Sequence, residues 1–254
     1  MKRVLAIARN TFRETIRDRV LGVIVVFALL MIAGSLWLGS ISLEQQGRMM
    51  KDFGLVAVSG FGLIVAVFVA ATLVRKEVEK RTVFVLFSKP VGRGEFVWGK
   101  FLGLCATMAV VMAGMGAFLF LASWWVSRSP APSLLGAVAL IYLQLVVVMA
   151  VTVFFSTMTS AVLATVLGIC TYVAGELSRN VLSLTDLGDN VVLKAVAWVV
   201  FIAIPNLSAV DVKAAVVGEQ AVAAGPLAGW IGYLLAYVVV VLLAATAVFR
   251  RKEF

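Results

Sequence analysis

The chain has 254 residues, of which 63% are hydrophobic and 14% are charged, whereas soluble domains contain about 45–50% apolar and about 25% charged residues. This composition excludes a soluble globular protein, and the unbroken apolar runs exclude a β-barrel, whose strands alternate apolar and polar residues. The net charge of +9 is concentrated beside the ends of the apolar runs, which indicates membrane topology rather than nucleic-acid binding. The sequence therefore predicts an all-α integral membrane protein.

Residues 1–19 predict an N-terminal amphipathic helix that lies in the cytoplasmic headgroup layer. One face of this helix carries apolar residues at helical spacing, namely Leu5, Ala8, Phe12 and Ile16. The basic residues of the same segment are also compatible with an ordinary positive-inside flank of the first span.

Six apolar runs are long enough to cross a bilayer, whose core of about 30 Å takes about 20 helical residues. The predicted spans are residues 20–38, 53–74, 101–126, 134–155, 161–177 and 227–249. With both termini in the cytoplasm, sixteen of the 22 basic residues lie on the cytoplasmic side, as the positive-inside rule requires. Residues 178–226 predict an extracytoplasmic helical segment, in which residues 195–204 are too short to span and fit a re-entrant or surface helix.

Residues 75–100, here called the charged segment, are the one long charged stretch between two spans and carry seven basic and three acidic residues. A helical continuation of the second span is predicted as far as Phe87, supported by the Glu77–Arg81 pair at i,i+4 spacing. Pro90 then breaks the helix, and Glu95 starts the helix that enters the third span. The apolar residues of this bent segment need a protein partner or the membrane surface to cover them.

Three short motifs lie in the charged segment and directly after it: a Lys-Glu-x-Glu-x-Arg-Thr run, a Pro-Val-x-Arg turn and a Gly-Lys-x-x-Gly entry to the next span. They comprise Lys76, Glu77, Glu79, Arg81, Thr82, Pro90, Val91, Arg93, Gly99, Lys100 and Gly103. In this order they resemble the segment after the second span of type-2 ABC exporter permeases, especially the branch related to permeases of multicopper-enzyme maturation systems. The resemblance extends over the whole chain, including the six predicted spans and the short turn Ser156–Ser160.

This resemblance implies a single transmembrane permease domain over residues 1–254, located in a bacterial-type cytoplasmic (inner) membrane. Its implied partners are a second permease copy in a homodimer, two cytoplasmic ATP-binding subunits and a possible extracytoplasmic protein, with no nucleic acid. The implied function is to couple ATP hydrolysis in the partner to export, flipping or transmembrane force transmission. No P-loop motif occurs in this chain, so ATP and Mg²⁺ are expected in the partner and no cofactor is expected here.

The resemblance also assigns candidate contact residues. The charged segment would dock on the ATP-binding subunit through Lys76, Glu77, Glu79, Arg81, Thr82, Phe84, Lys89, Pro90 and Arg93. The turn between the fourth and fifth predicted spans would make a second contact through Ser156, Thr157 and Thr159.

A stripe of sulfur-containing side chains lies on one face of the third predicted span and consists of Cys105, Met108, Met112 and Met115. Thiolate and thioether ligands suit Cu(I), so the stripe is a candidate copper path. The alternative is simple packing, because methionine is a flexible apolar filler and free cysteine a small buried residue. Packing is favoured, since no histidine and no second methionine cluster accompanies the stripe.

Two further features bear on function. Glu176 is the ionisable residue nearest the membrane interior, and its spacing predicts a pair with Arg179 at i+3. The chain has no histidine and no intramembrane pair of carboxylates, so an intramembrane enzyme would lack its general base. The functions that stay open are an ABC permease and a non-transporting membrane anchor or channel subunit of another complex.

Overall fold

The computed structural model describes residues 2–16, 21–39, 46–79, 93–127, 131–185, 204–218 and 224–251. Within these ranges the regular structure is entirely helical, which confirms the predicted all-α class. The helices are α1 Lys2–Thr15, α2 Leu21–Gly39, α3 Gln46–Glu79, α4 Arg93–Ser127, α5 Ser133–Met158, α6 Ala161–Thr185, α7 Lys213–Val217 and α8 Ala224–Arg251. A short 3-10 turn, Ser208–Val210, precedes α7.

Five helices are both long enough and apolar enough to cross a membrane, which confirms a multi-pass membrane protein. Their crossing parts are Gly47–Thr72, Gly94–Val126, Ser133–Met158, Ala161–Ser178 and Gly225–Phe249. The first predicted span coincides with α2, which has 19 residues and whose described apolar part is Val25–Gly34. The first of the six predicted spans, residues 20–38, therefore stays a prediction.

The helices extend beyond the predicted spans at several ends. α3 begins at Gln46, seven residues before the second predicted span begins at residue 53. α4 begins at Arg93 rather than Glu95, and α6 continues to Thr185. Hydropathy marks where a helix crosses the bilayer, whereas the backbone hydrogen bonds of the helix continue into the aqueous layers.

The central helix of the bundle is α5, which packs against α3, α4, α6 and α8. In an 18-residue apolar stretch of its crossing part 67% of the residues are buried, compared with 22% in α6 and 28% in α8. α2 joins the bundle through Phe27, which is fully buried and makes edge-to-face contacts with Phe61 of α3 and Phe118 of α4 at 6.1 and 6.2 Å between ring centroids. Helices α6 and α8 thus present large apolar surfaces that the described part of the chain does not cover.

The N-terminal helix α1 packs along the first turns of α4, and its predicted apolar face is only partly right. Ala8 and Thr11 are buried, whereas Leu5 is 71% exposed. The reason is the direction of the contact, because α1 faces Gly99 and Gly103 of α4 with Val4, Ile7, Ala8 and Thr11, and Leu5 lies on the other side of the helix. A position in the headgroup layer stays a prediction for this helix.

Candidate functional site

The charged segment starts on α3 and ends on α4. Lys76, Glu77 and Glu79 lie on the last turns of α3, which continues about 10 Å beyond its crossing part, as predicted. Arg93 is the first residue of α4. The other predicted contacts in this segment lie outside the described residues: Arg81, Thr82, Phe84, Lys89 and Pro90. The two ends of the segment are thus fixed by the ends of two long membrane helices.

The second predicted contact lies where α5 meets α6, and two of its three residues point into the bundle. Ser156 and Thr157 are buried. The Ser156 hydroxyl donates a hydrogen bond of 3.1 Å to the carbonyl oxygen of Ala71 on α3, and the Thr157 hydroxyl donates one of 2.7 Å to the carbonyl of Phe154. Ser156 therefore connects this end of α5 to α3, close to the start of the charged segment.

The connection from α5 to α6 consists of Thr159 and Ser160 alone. The Thr159 backbone N–H donates to the carbonyl of Phe155 at 2.8 Å, and its hydroxyl donates to the same carbonyl at 2.9 Å. The Ser160 hydroxyl accepts the N–H of Leu163 at 3.4 Å, in the manner of a helix N-cap. This short turn makes α5 and α6 adjacent antiparallel helices, with Thr159 partly accessible at their shared end.

The Gly-Lys-x-x-Gly motif at the start of α4 is the surface on which α1 packs. A Cβ atom at Gly99 would lie 2.9 Å from Cβ of Ile7, and one at Gly103 would lie 2.7 Å from the backbone oxygen of Ala8. Only glycine permits this approach between the helices. Lys100, between the two glycines, lies 5.2 Å above the ring centroid of Phe96.

A second polar region lies away from the charged segment, where residues 204–218 pack against the bundle. These residues are here called the outer segment, because the predicted topology places them outside the cytoplasm. Asn206 is buried, and its side-chain oxygen accepts hydrogen bonds from the hydroxyls of Ser178 and Ser208, both at 2.8 Å. The N–H of Ala209 donates to the same oxygen at 3.2 Å. These bonds attach the outer segment to α6.

The outer segment also reaches α5 within the depth of the membrane. The Gln144 amide donates to the carbonyl of Leu207 at 2.9 Å. Gln144 is 14 residues from Met158, the last residue of α5, a distance of about 21 Å along the helix, whereas a bilayer core is about 30 Å thick. Non-helical backbone at this depth requires buried polar partners. The non-helical backbone at Leu207 therefore has such a partner in Gln144. The predicted re-entrant or surface helix at 195–204 lies outside the described residues except for Ile204 and stays a prediction.

An ion pair fixes the far end of the outer segment. The Lys213 ammonium lies 3.1 Å from Oε1 of Glu176 and 3.8 Å from Oδ1 of Asp211, and the Tyr172 hydroxyl donates to the same Glu176 oxygen at 3.1 Å. Glu176 is thus paired with a lysine 37 residues away. The sequence analysis considered only Arg179, because spacing along one helix cannot reveal a partner on another element.

The charge of Lys213 is maintained by these neighbours. Burial acts to lower the pKa of the ammonium, but its interactions with Tyr172, Glu176 and Asp211 and its hydrogen bond to Glu176 outweigh burial and raise the pKa above the ordinary value. The outer segment is therefore held by a charged lysine throughout the physiological pH range.

The sulfur-containing stripe of α4 lies in the bundle core. Met108, Met112 and Met115 are buried, and a Cβ atom at Gly62 of α3 would lie 3.2 Å from the Met112 sulfur. Cys105 is half-buried. The described residues contain no group of three or more His, Cys, Asp or Glu that could hold a metal ion. The methionines pack as flexible apolar fillers, and the copper path stays a prediction.

A groove of about 280 Å³ opens between α2, α3 and α4 near their outer ends. All of its lining residues are apolar, namely Met31, Ile32, Met50, Phe118, Ala122, Trp125 and Val126. Trp124 and Trp125 are 51% and 77% exposed, as expected for side chains at the headgroup level. A groove of this kind fits an acyl chain or another apolar group.

The model of a protein family described as ABC-2 family transporter protein matches residues 5–254. No curated protein matches the chain significantly. The family match includes all helices described above except the first residues of α1.

Proposed function

The chain belongs to the ABC-2 transporter family and is therefore a membrane permease subunit of an ABC transporter; we propose that it couples ATP hydrolysis by two separate cytoplasmic subunits to export, flipping or force transmission. In this proposal two copies of the chain form the membrane part of the complex in the bacterial-type inner membrane. The finer relation to permeases of multicopper-enzyme maturation systems belongs to the same proposal. An extracytoplasmic partner protein is also part of the proposal.

The observation that carries the proposal is the hydrogen bond between Ser156 and the carbonyl of Ala71. It links the helix end that continues into the charged segment with the end of α5 next to the α5–α6 turn. A subunit that bound both regions would therefore move α3 and α5 together. Since α5 contacts most other spans, such a movement would extend to the whole bundle.

The permease itself is assigned no chemistry in this proposal. ATP and Mg²⁺ are assigned to the partner, because the sequence has no P-loop motif. The apolar groove between α2, α3 and α4 supports an apolar substrate such as a lipid.

Charge reversal in the charged segment tests the proposal. We expect the double variant Glu77→Lys, Glu79→Lys to lose the ATP-binding subunit, because two like-charged residues replace two carboxylates at the predicted contact. The measurement is affinity purification of the tagged chain from native membranes, followed by photolabelling with azido-ATP and an ATPase assay of the eluate. Asp52→Lys is the matched control, since Asp52 is exposed near the opposite end of the same helix.

An azido-ATP-labelled polypeptide should co-purify with the wild type and the control but not with the double variant. Equal labelling and equal ATPase activity in all three samples would refute the assigned contact. Absence of any labelled polypeptide from the wild type would instead favour the membrane anchor or channel alternative.

A further inference from the structure

The exposed side of α1 is not covered by any other element in the part of the chain that the structure describes. One side of this helix packs on α4 through Val4, Ile7, Ala8 and Thr11. The opposite side is exposed and consists of Leu5, Ala6, Arg9, Asn10, Arg13 and Glu14. The question is what this exposed face contacts in the membrane.

The contacts with α4 fix the depth of α1. Val4 and Ile7 lie beside Gly99, whereas Ala8 and Thr11 lie beside Gly103, so the two helices run parallel. Trp125 marks the outer headgroup level of α4, and about 20 residues span the hydrocarbon core. Counting back about 20 residues from Trp125 along α4 puts the cytoplasmic surface of the hydrocarbon core close to Cys105. Cys105 is two residues, or about 3 Å, beyond Gly103.

By this count the Cα atom of Arg9 is about 1.5 Å outside the surface of the core and that of Arg13 is about 4.5 Å inside it. Helical side chains tilt toward the N-terminus of the helix, which here is the cytoplasmic side, so both long guanidinium side chains reach the headgroup layer. Arg9 follows Ala8, which is level with Gly103, and Arg13 is one helical turn further along the same face. Both are exposed. Guanidinium groups bind phosphate oxygens through paired, charge-assisted hydrogen bonds, and anionic lipids attract basic residues at the cytoplasmic surface.

The charge of the whole N-terminal segment supports the same partner. Six of its residues are basic, and only Glu14 and Asp18 are acidic. No ion pair within the described residues involves Arg9 or Arg13. The exposed face is thus positively charged where the membrane surface is negative.

We propose that the exposed face of α1, through Arg9 and Arg13, binds anionic phospholipid headgroups of the cytoplasmic leaflet. The bound lipid holds α1 against α4 at Gly99 and Gly103, within the first turns of the helix on which the charged segment ends. This binding requires no ATP-binding subunit, and it can be tested on the purified chain alone.

The test compares phosphatidylglycerol with phosphatidylcholine. The purified full chain is titrated with each lipid in neutral detergent micelles, and binding is measured by native mass spectrometry and by the thermal midpoint. We expect preferential binding of phosphatidylglycerol and about 30-fold weaker binding by Arg9→Gln, Arg13→Gln, which follows from about 1 kcal/mol per arginine at tenfold per 1.4 kcal/mol. Arg48→Gln, which changes an exposed arginine at the outer end of α3, should bind like the wild type.

Two further results decide the proposal. Raising the salt concentration to about 1 M, where the Debye length falls to about 3 Å, should weaken phosphatidylglycerol binding to the wild type. Equal binding of the two lipids, or an unchanged preference for phosphatidylglycerol in the double arginine variant, would overturn it. Since both arginines are exposed, the thermal midpoint of the lipid-free variant should match the wild type and confirm that it is folded.

Discussion

Lys213 is the residue on which the attachment of the outer segment depends most directly. Its ammonium contacts Glu176 on α6 and Asp211 in its own segment, and its pKa is raised above the ordinary value. A group whose pKa is higher in the folded state than in the unfolded state stabilises the fold fully below the unfolded pKa. That contribution is lost as the pH rises through the folded pKa.

We expect Lys213→Met to lower the free energy of unfolding by about 1–3 kcal/mol, because Glu176 is left partly buried without its cation. The loss should be constant between about pH 6 and 9, and it should shrink only as the pH rises beyond about 10.5 through the raised folded pKa, where the wild-type lysine also loses its charge. Thermal denaturation of the detergent-solubilised protein across this pH range is the measurement.

The double variant Lys213→Met, Glu176→Gln provides the control for this prediction. Removing both charges leaves no uncompensated ion, so the double variant should be more stable than Lys213→Met alone. A single variant that is as stable as the wild type at neutral pH would contradict a structural role for the ion pair.

At the scale of elements, the contact between α1 and α4 depends on two glycines. A side chain at Gly103 would meet the backbone oxygen of Ala8 at 2.7 Å, and backbone cannot move aside as a flexible side chain does. The Gly-Lys-x-x-Gly motif therefore has a structural function within this chain, in addition to any contact of the charged segment with a partner.

Gly103→Val should detach α1 from α4. We expect the variant to lose about 1.4 kcal/mol of the free energy that holds α1 on α4. Trypsin cleaves after Arg9 and Arg13 only when the helix opens locally, so cleavage should be about tenfold faster. Loss of an N-terminal tag over time measures the rate. Gly60→Val is the matched control, since a Cβ atom there meets nothing within 4 Å; equal rates for the two variants would contradict the prediction.

The sequence predicted the elements better than their contacts. Apolar runs located the five confirmed crossing helices, because the bilayer imposes a length and a composition on each of them. The packed face of α1 was partly wrong, since apolar spacing cannot reveal that its neighbour presents glycines. The inward direction of Ser156 and the polar contacts of Asn206 also depend on tertiary partners, which no local pattern encodes.

At the scale of the whole molecule, polar side chains connect the helices at both ends of an otherwise apolar bundle. Asn206 and Lys213 attach the outer segment to α6, and Ser156 attaches α5 to α3 at the other end. In an apolar environment such bonds are among the few directional contacts between helices. A movement of α3 at the charged segment is thus expected to reach α6 through α5 and the turn at Thr159 and Ser160.

Ser156→Ala tests this transmission. The lost hydrogen bond is worth about 1 kcal/mol, which shifts an equilibrium between two states of the bundle about fivefold without unfolding it. The readout is the labelling rate of Cys170, an exposed cysteine of α6, by a membrane-permeant maleimide in a Cys105→Ser background. ATP and vanadate should change this rate in the complex with the ATP-binding subunit, and the change should be reduced in Ser156→Ala.

Thr165→Ala is the control that separates transmission from the loss of any hydroxyl in the membrane. The Thr165 hydroxyl donates only to the carbonyl of Ala161 in its own helix, at 2.8 Å, so its removal breaks no contact between helices. It should leave the nucleotide-dependent labelling of Cys170 unchanged. If Ser156→Ala also leaves it unchanged while the ATP-binding subunit stays bound, the connection between α3 and α5 at Ala71 does not carry the movement, and coupling must pass through another contact of α5.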